Sequence, residues 1–185
     1  MANRLTKIVT RTGDGGTTGL ADGSRLSKSD VRVHCLGEVD ELNALIGLCI
    51  SQIGLDEVHH GLLAVQHDLF DLGAELCQPG ATTLTVEHVS AIDQLAEQLN
   101  HDLPPLKEFI LPGGSVELSQ LHLARTVSRR VERWLVDLDR REGVNPHSLA
   151  YINRLSDLLF IMARFFAQHT DTPEVYWKSE ISRSA

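Results

Sequence analysis

The chain has 185 residues, 42% hydrophobic and 23% charged, enough to bury one core without staples and too apolar for general disorder. A formal net charge of -8 makes the molecule as a whole repel nucleic acid and anionic membrane, so any anion site must be a local positive pocket. No run approaches the ~18 apolar residues of a membrane span, residues 1–8 hold no apolar signal segment, and the expected location is the cytoplasm. Cys35, Cys49 and Cys77 lack metal-binding spacing and suit reduced, buried thiols.

Residues 10–23 contain five of the chain's fourteen glycines, and each glycine loses extra backbone entropy on ordering. The expectation is a loop without regular structure that either stays mobile or wraps something. Glycines let successive N–H groups turn inward on an anion. Thr10, Thr12, Thr17 and Thr18 add hydroxyls, and Arg11, Arg25 and Lys28 add positive charge. Gly13-Asp14-Gly15-Gly16-Thr17-Thr18 is not a phosphate-binding P-loop, because no Gly-Lys-Ser/Thr follows it.

Helical periodicity begins at about Ser29 and runs to Ile53, with Val39, Leu42, Ile46, Cys49, Ile50 and Ile53 on one stripe. Asp40, Ala44, Gly47 and Ser51 form a second stripe of mostly small residues. Asp40 there is either solvated or a partner for an arginine from elsewhere. A second helix covers Asp56 to about Cys77 through Leu62 or Leu63, Val65 or Gln66, Leu69, Leu72 and Leu76, and Pro79-Gly80 closes it. The third, residues 86–101, starts near Thr85 and carries Val89, Ile92, Leu95, Ala96 and Leu99. Pro104-Pro105 breaks the chain after it.

Phe109-Ile110-Leu111-Pro112-Gly113-Gly114-Ser115 leads sharply into the fourth helix, which Ser115 caps and which reaches about Arg141. On its spacing alone Phe109 reads as a staple against the core. Leu123, Val127, Val131, Trp134 and Leu138 make the predicted core stripe. Arg125, Arg129 and Arg133 lie about 200° away at ~100° per residue, and like charges four apart repel by roughly 0.2–0.5 kcal/mol per pair. Either an anion offsets them or they form a solvated face. Asn145-Pro146 opens the fifth helix, which ends near His169 and buries Leu149, Ile152, Leu155, Leu159, Met162 and Phe166. The tail, with Tyr176 and Trp177, shows no period.

The predicted fold is therefore all-α: a five-helix antiparallel bundle with a glycine-rich N-terminal loop, one domain over residues 1–185. Residues 1–28 are the leader, 29–170 the bundle and 171–185 the tail. Glu57-Val58-His59-His60 contains a single Glu-x-x-His at a helix start, short of the two mid-helix copies a di-metal bundle needs. No metalloprotease, nucleophile-elbow or Cys-His signature is present.

Three separated pieces occur in series: the leader from Thr10 to Lys28, Gly37-Glu38-Val39-Asp40-Glu41-Leu42-Asn43, and Phe109-Ile110-Leu111-Pro112-Gly113-Gly114 running into Arg125-x-x-x-Arg129-Arg130-x-Glu132-Arg133. Together with Asn153-Arg154-Leu155-Ser156-Asp157 they make the chain resemble the PduO-type ATP:cob(I)alamin adenosyltransferases over nearly its whole length. The resemblance implies a homotrimer with sites between subunits, taking ATP and a corrinoid, cob(I)alamin or a relative, as substrates with Mg²⁺. It implies that Thr10, Arg11, Thr12, Gly13, Thr18, Gly19 and Lys28 wrap ATP. Arg129, Arg130, Arg133 and Asn153 would complete that site from the neighbouring subunit. Glu132 and Asp157 would hold the arginines or serve the Mg²⁺. Asp40 and Arg125 would pair near the corrin, and Phe109 would press on its lower face. A reductase and an adenosylcobalamin-dependent enzyme are implied partners, and no nucleic acid or membrane is. The family usually carries lysine at the position of Gly15 and often cysteine at that of Ser128. A non-catalytic nucleotide or corrinoid sensor and a helical scaffold are the rival functions.

Overall fold

The computed structural model describes residues 9–178. Residues 1–8 of the expected leader and 179–185 of the expected tail lie outside them. The elements are β1 (Thr17–Gly19), β2 (Arg25–Ser27), α1 (Val31–Gln52), α2 (Asp56–Cys77), α3 (Val86–Asn100), α4 (Val116–Glu142) and α5 (Pro146–His169).

Four of the five helices, all but α2, begin where a side chain can satisfy the orphan N–H groups of the first turn. Asp30 accepts from Arg32 N at 2.8 Å, so α1 starts two residues later than Ser29. Thr85 and His88 cap α3 reciprocally. Ser115 accepts from Leu118 N at the start of α4, and Asn145 from His147 N ahead of Pro146 in α5. Gly143, at φ 79°, takes the left-handed turn that ends α4.

α1 packs between α2 and α4, α4 against α5, and α5 against α3. The direction of α4 against α1 follows from its side-chain partners. Arg32 at the start of α1 reaches Glu142 at the end of α4 at 2.7 Å, while Arg130 meets Glu38 and Glu41 further along. The core runs the length of this stack, and α2 settles its ambiguity with Leu62 and Val65 inside and Leu63 exposed.

Two expectations are corrected. The buried stripe of α4 is Leu121, Ala124, Val127, Ser128, Val131, Leu135 and Leu138, so the expected Val127, Val131 and Leu138 are inside, whereas Leu123 is 53% exposed. Trp134 sits at the edge of the core, stacked on His34 with ring centroids 4.8 Å apart. The glycine-rich leader is not free of regular structure either: β1 and β2 form an antiparallel hairpin, Thr18 opposite Leu26, with Leu20 buried at its turn. Gly19 ends β1, the other leader glycines fall in the turns around the strands, where Gly16 and Gly23 take positive φ, and Thr17 and Thr18 suit the short strand.

A buried carboxylate ties two loops to the bundle. Glu75 accepts from Thr83 N, Leu84 N and Asn145 Nδ2 on one oxygen and from Ser148 Oγ on the other.

Candidate functional site

The long α4 carries its arginines past the groove it makes with α5. The connection preceding α4 folds back over one end of that groove, and the three elements enclose a pocket of about 350 Å³. Arg125, Arg129 and His122 come from α4, Ser156, Asp157, Phe160 and Ile161 from α5, and Phe109 with Ile110 from the connection. Four of the predicted site residues, Phe109, Arg125, Arg129 and Asp157, therefore meet in one wall of space.

Phe109 is 75% exposed, so it is not a staple against the core. Its ring lies 6.3 Å from that of Trp177, tilted by 57°. A large apolar side chain held at a pocket mouth is costly in water and suits a broad, flat ligand. Arg125 is partly buried, its Nε atom has no hydrogen-bond partner, and burial together with Arg129 lowers its pKa. His122 is 5% exposed, and burial, then Arg125, depress its pKa below the ordinary 6.5, so it is neutral at pH 7. The hydroxyl in the pocket wall, Ser156 Oγ, donates to Asn153 O at 3.0 Å rather than to a histidine or carboxylate.

The other predicted residues are placed as follows. Asp40 is exposed and makes no ion pair with Arg125 within the chain, which corrects the pairing expected from the helix stripes at the level of one subunit. Arg130 is held against α1 by Glu38 and Glu41, which raise its pKa. Glu132 holds Asn153 rather than an arginine, accepting from Nδ2 at 2.8 Å, and so joins α4 to α5. Arg133 Nη1 donates to Arg129 O at 3.0 Å. Ser128 is buried and donates to Ile152 O, doing within the core what a cysteine at this position could do only weakly.

The leader is built by Arg25, a residue the sequence singled out only for its charge. Its Nη2 donates to Thr12 O at 2.7 Å and to Thr17 Oγ1 at 2.8 Å, folding the Thr10–Gly13 segment onto the hairpin. Gly16 N donates to Gly13 O, and a Cβ on Gly13 would stand 3.1 Å from Lys28 Nζ. Glycine there lets the lysine ammonium lie over the turn. Thr10, Arg11, Thr12, Gly13, Thr18, Gly19 and Lys28 are thus gathered in one hairpin. Gly15 is exposed, with nothing near an added Cβ.

That hairpin is not at the pocket. Ala21 N donates to Cys77 O, which anchors the leader beside the end of α2, where Arg32 also binds Leu76 O and Glu142. Arg129 lies thirteen residues back along α4 from Glu142, or roughly 20 Å at 1.5 Å per residue. Sequence reasoning missed His122 and Ile161 at the pocket, and Trp177 beside the Phe109 ring. His122 stands one turn before Arg125 and could have been found by that spacing, whereas nothing marked Trp177.

An arginine-faced pocket with an aromatic mouth and a separate hairpin rich in N–H groups and hydroxyls is the equipment of a group transferase acting on a polyanionic donor. The profile of the family described as cobalamin adenosyltransferase matches residues 8–166. The chain is 51% identical over 181 residues to a cobalamin adenosyltransferase of Cupriavidus metallidurans, covering 97% of this chain and 98% of that one. It is 44% identical over 175 residues to a corrinoid adenosyltransferase of Citrobacter freundii, covering 91% and 98%. Among solved structures, a variant PduO-type ATP:corrinoid adenosyltransferase from Lactobacillus reuteri complexed with cobalamin and ATP superposes with a TM-score of 0.89. That pair is 35% identical, covering 94% of this chain and 97% of the other. The chain belongs to the cobalamin adenosyltransferase family.

Proposed function

We propose that this protein transfers the 5′-deoxyadenosyl group of ATP to the cobalt of cob(I)alamin or a related corrinoid, working as a homotrimer whose sites are shared between neighbouring subunits. The observation that carries the reading is the convergence of Phe109, Arg125 and Arg129 on one pocket while the leader docks at the far end of the same chain. A leader from a neighbour brings the two halves together, and the same packing sets a neighbour's Asp40 against Arg125.

The reacting atoms need little covalent help. Co(I) donates its electron pair to C5′ of the ribose, the C5′–O bond breaks, and that electron pair leaves on the triphosphate oxygen. The protein aligns cobalt with carbon and stabilises the charge growing on the leaving group. Lys28, the leader N–H groups and the hydroxyls of Thr10, Thr12 and Thr18 bind the polyphosphate from one side. Arg129, Arg130 and Arg133 approach it from the other, and Asn153, fixed by Glu132, orients the nucleoside. Phe109 packs on the lower corrin face and displaces the axial base, which eases the preceding reduction to Co(I).

Glu132 has one carboxylate oxygen engaged by Asn153, leaving the other as a hard donor suited to Mg²⁺, which prefers one or two carboxylates plus phosphate oxygens. When bound with ATP, that ion would supply further charge neutralisation at the triphosphate. The buried thiols Cys35 and Cys49, pushed up to about 12 and about 11 by desolvation, stay protonated and suit a reducing cytoplasm. No helix among the described residues is long and apolar enough to cross a membrane. A reductase that delivers Co(I) and an enzyme that takes up the adenosylated product are the natural partners.

Adding chemically reduced cobalamin and ATP tests the activity directly. Stoichiometric triphosphate release with appearance of the cobalt–carbon absorption spectrum is expected. ATP binding without either product would instead make the chain a sensor.

A further inference from the structure

Phe109 has almost no packing of its own to hold it, so its position at the pocket mouth depends on what fixes its backbone. It sits in the connection between α3 and α4, which Pro104, Pro105 and Pro112 keep out of regular structure and which Gly113 and Gly114 leave at positive φ. Its main-chain partners come instead from the tail. Trp177 N donates to Phe109 O at 2.7 Å, and Leu111 N donates to Val175 O at 2.7 Å, on either side of an antiparallel bridge between Ile110 and Tyr176. The residue carrying the exposed ring is thus flanked by a short two-sided ladder, and the Trp177 ring leans on it.

The tail itself is clamped to the bundle by one buried arginine. Arg164, on α5, donates from Nε to Glu174 Oε1 at 2.9 Å and from Nη2 to Pro104 O at 2.8 Å. Its side chain is 6% exposed and that of Glu174 18%. A single guanidinium therefore grips the tail and the α3–α4 connection at once, one on each side of Phe109. Charge-assisted bonds of this kind are directional and strong when desolvated.

We propose that Arg164 and Glu174 are positioning residues for the reaction: through the 173–177 strap they set the backbone of Phe109 so that its ring can displace the lower axial base of a bound corrinoid. The inference rests on the role given to Phe109 under the proposed function. It concerns a step that matters only for corrinoids carrying a lower base. Cobinamide, which lacks one, does not need the displacement.

The test is electron paramagnetic resonance of cob(II)alamin bound to the full-length protein with ATP, because a coordinated base nitrogen splits the cobalt signal and a displaced one does not. Wild type loses the splitting. Phe109→Ala keeps it. Glu174→Gln shifts the ratio of displaced to coordinated base by about tenfold or more toward the coordinated form, the scale of one lost charge-assisted hydrogen bond. Cobinamide affinity stays within about twofold of wild type, as no part of its binding contact is removed. Should Glu174→Gln fail to fold, Arg164→Lys, which keeps the charge but cannot hold Glu174 and the Pro104 carbonyl at once, gives the same directional shift. If Phe109→Ala keeps the splitting while the folded strap variant loses it as wild type does, the clamp is merely structural and the proposal is overturned. If Phe109→Ala itself loses the splitting, the role of Phe109 is wrong and the proposal falls with it.

Discussion

Arg125, Arg129 and Arg133 share one helix face, yet they meet different surroundings. Arg125 is partly buried at the pocket, Arg129 is exposed at its edge, and Arg133 is tied back to the Arg129 carbonyl. Arg130, next in sequence to Arg129, is held in place by α1 carboxylates. Periodicity alone could not separate these roles, because it gives an angle around the helix and not what stands opposite. His122 adds a pH dependence at the same scale. Its pKa is depressed in the folded state, so below its ordinary 6.5 the unfolded chain binds more protons than the folded one. Stability therefore falls as pH drops through that value toward 5. Melting curves of wild type and His122→Gln at pH 7.5 and 5.5 should show wild type losing more on acidification, and an equal loss in both would remove His122 as the cause.

The helices were legible because their ends carry chemistry: Ser115, Thr85 and Asn145-Pro146 all cap where their residue types demand. The α4 core face was read only in part: Val127, Val131 and Leu138 are buried, but Leu123 is not. Its true stripe contains Ser128, and beside it His122 is buried, polar residues whose burial is visible only once α5 supplies Ile152 O and the pocket supplies the rest. Leu123 took their place in the sequence reading because it is apolar at a compatible spacing. The 173–177 strap was invisible for another reason. Its ladder partners lie more than sixty residues away in a segment with no period, and pairing of that range leaves no local signature. Glu75, too, looked like an ordinary helical glutamate, although four donors converge on it. Glu75→Ala would leave those donors unpaired in the core and should cost about 3 kcal/mol or more. Urea denaturation measures it, and a loss below about 1 kcal/mol would mean that water replaces the carboxylate without penalty.

At the scale of the whole molecule, the leader hairpin and the arginine-lined pocket lie apart on one chain. The hairpin with Lys28 is anchored where α2 ends, and the pocket with Arg129 opens partway along α4 and α5. The net charge of -8 makes that division consequential, since an overall anionic protein must concentrate its cations to attract ATP. In the proposed shared site, a leader from one subunit would join an arginine face from the next and so concentrate cations that lie apart on each chain. The most direct measurement of this claim is complementation between two inactive variants, Lys28→Ala in the leader and Arg129→Ala in the pocket, co-expressed and purified as mixed oligomers. Each variant alone should be at least tenfold impaired in adenosyl transfer, and random mixing in a closed ring should restore intact interfaces at about a quarter of all positions, with activity to match. Mixed oligomers that stay as inactive as the separate variants would show that leader and pocket belong to the same chain and contradict the shared site.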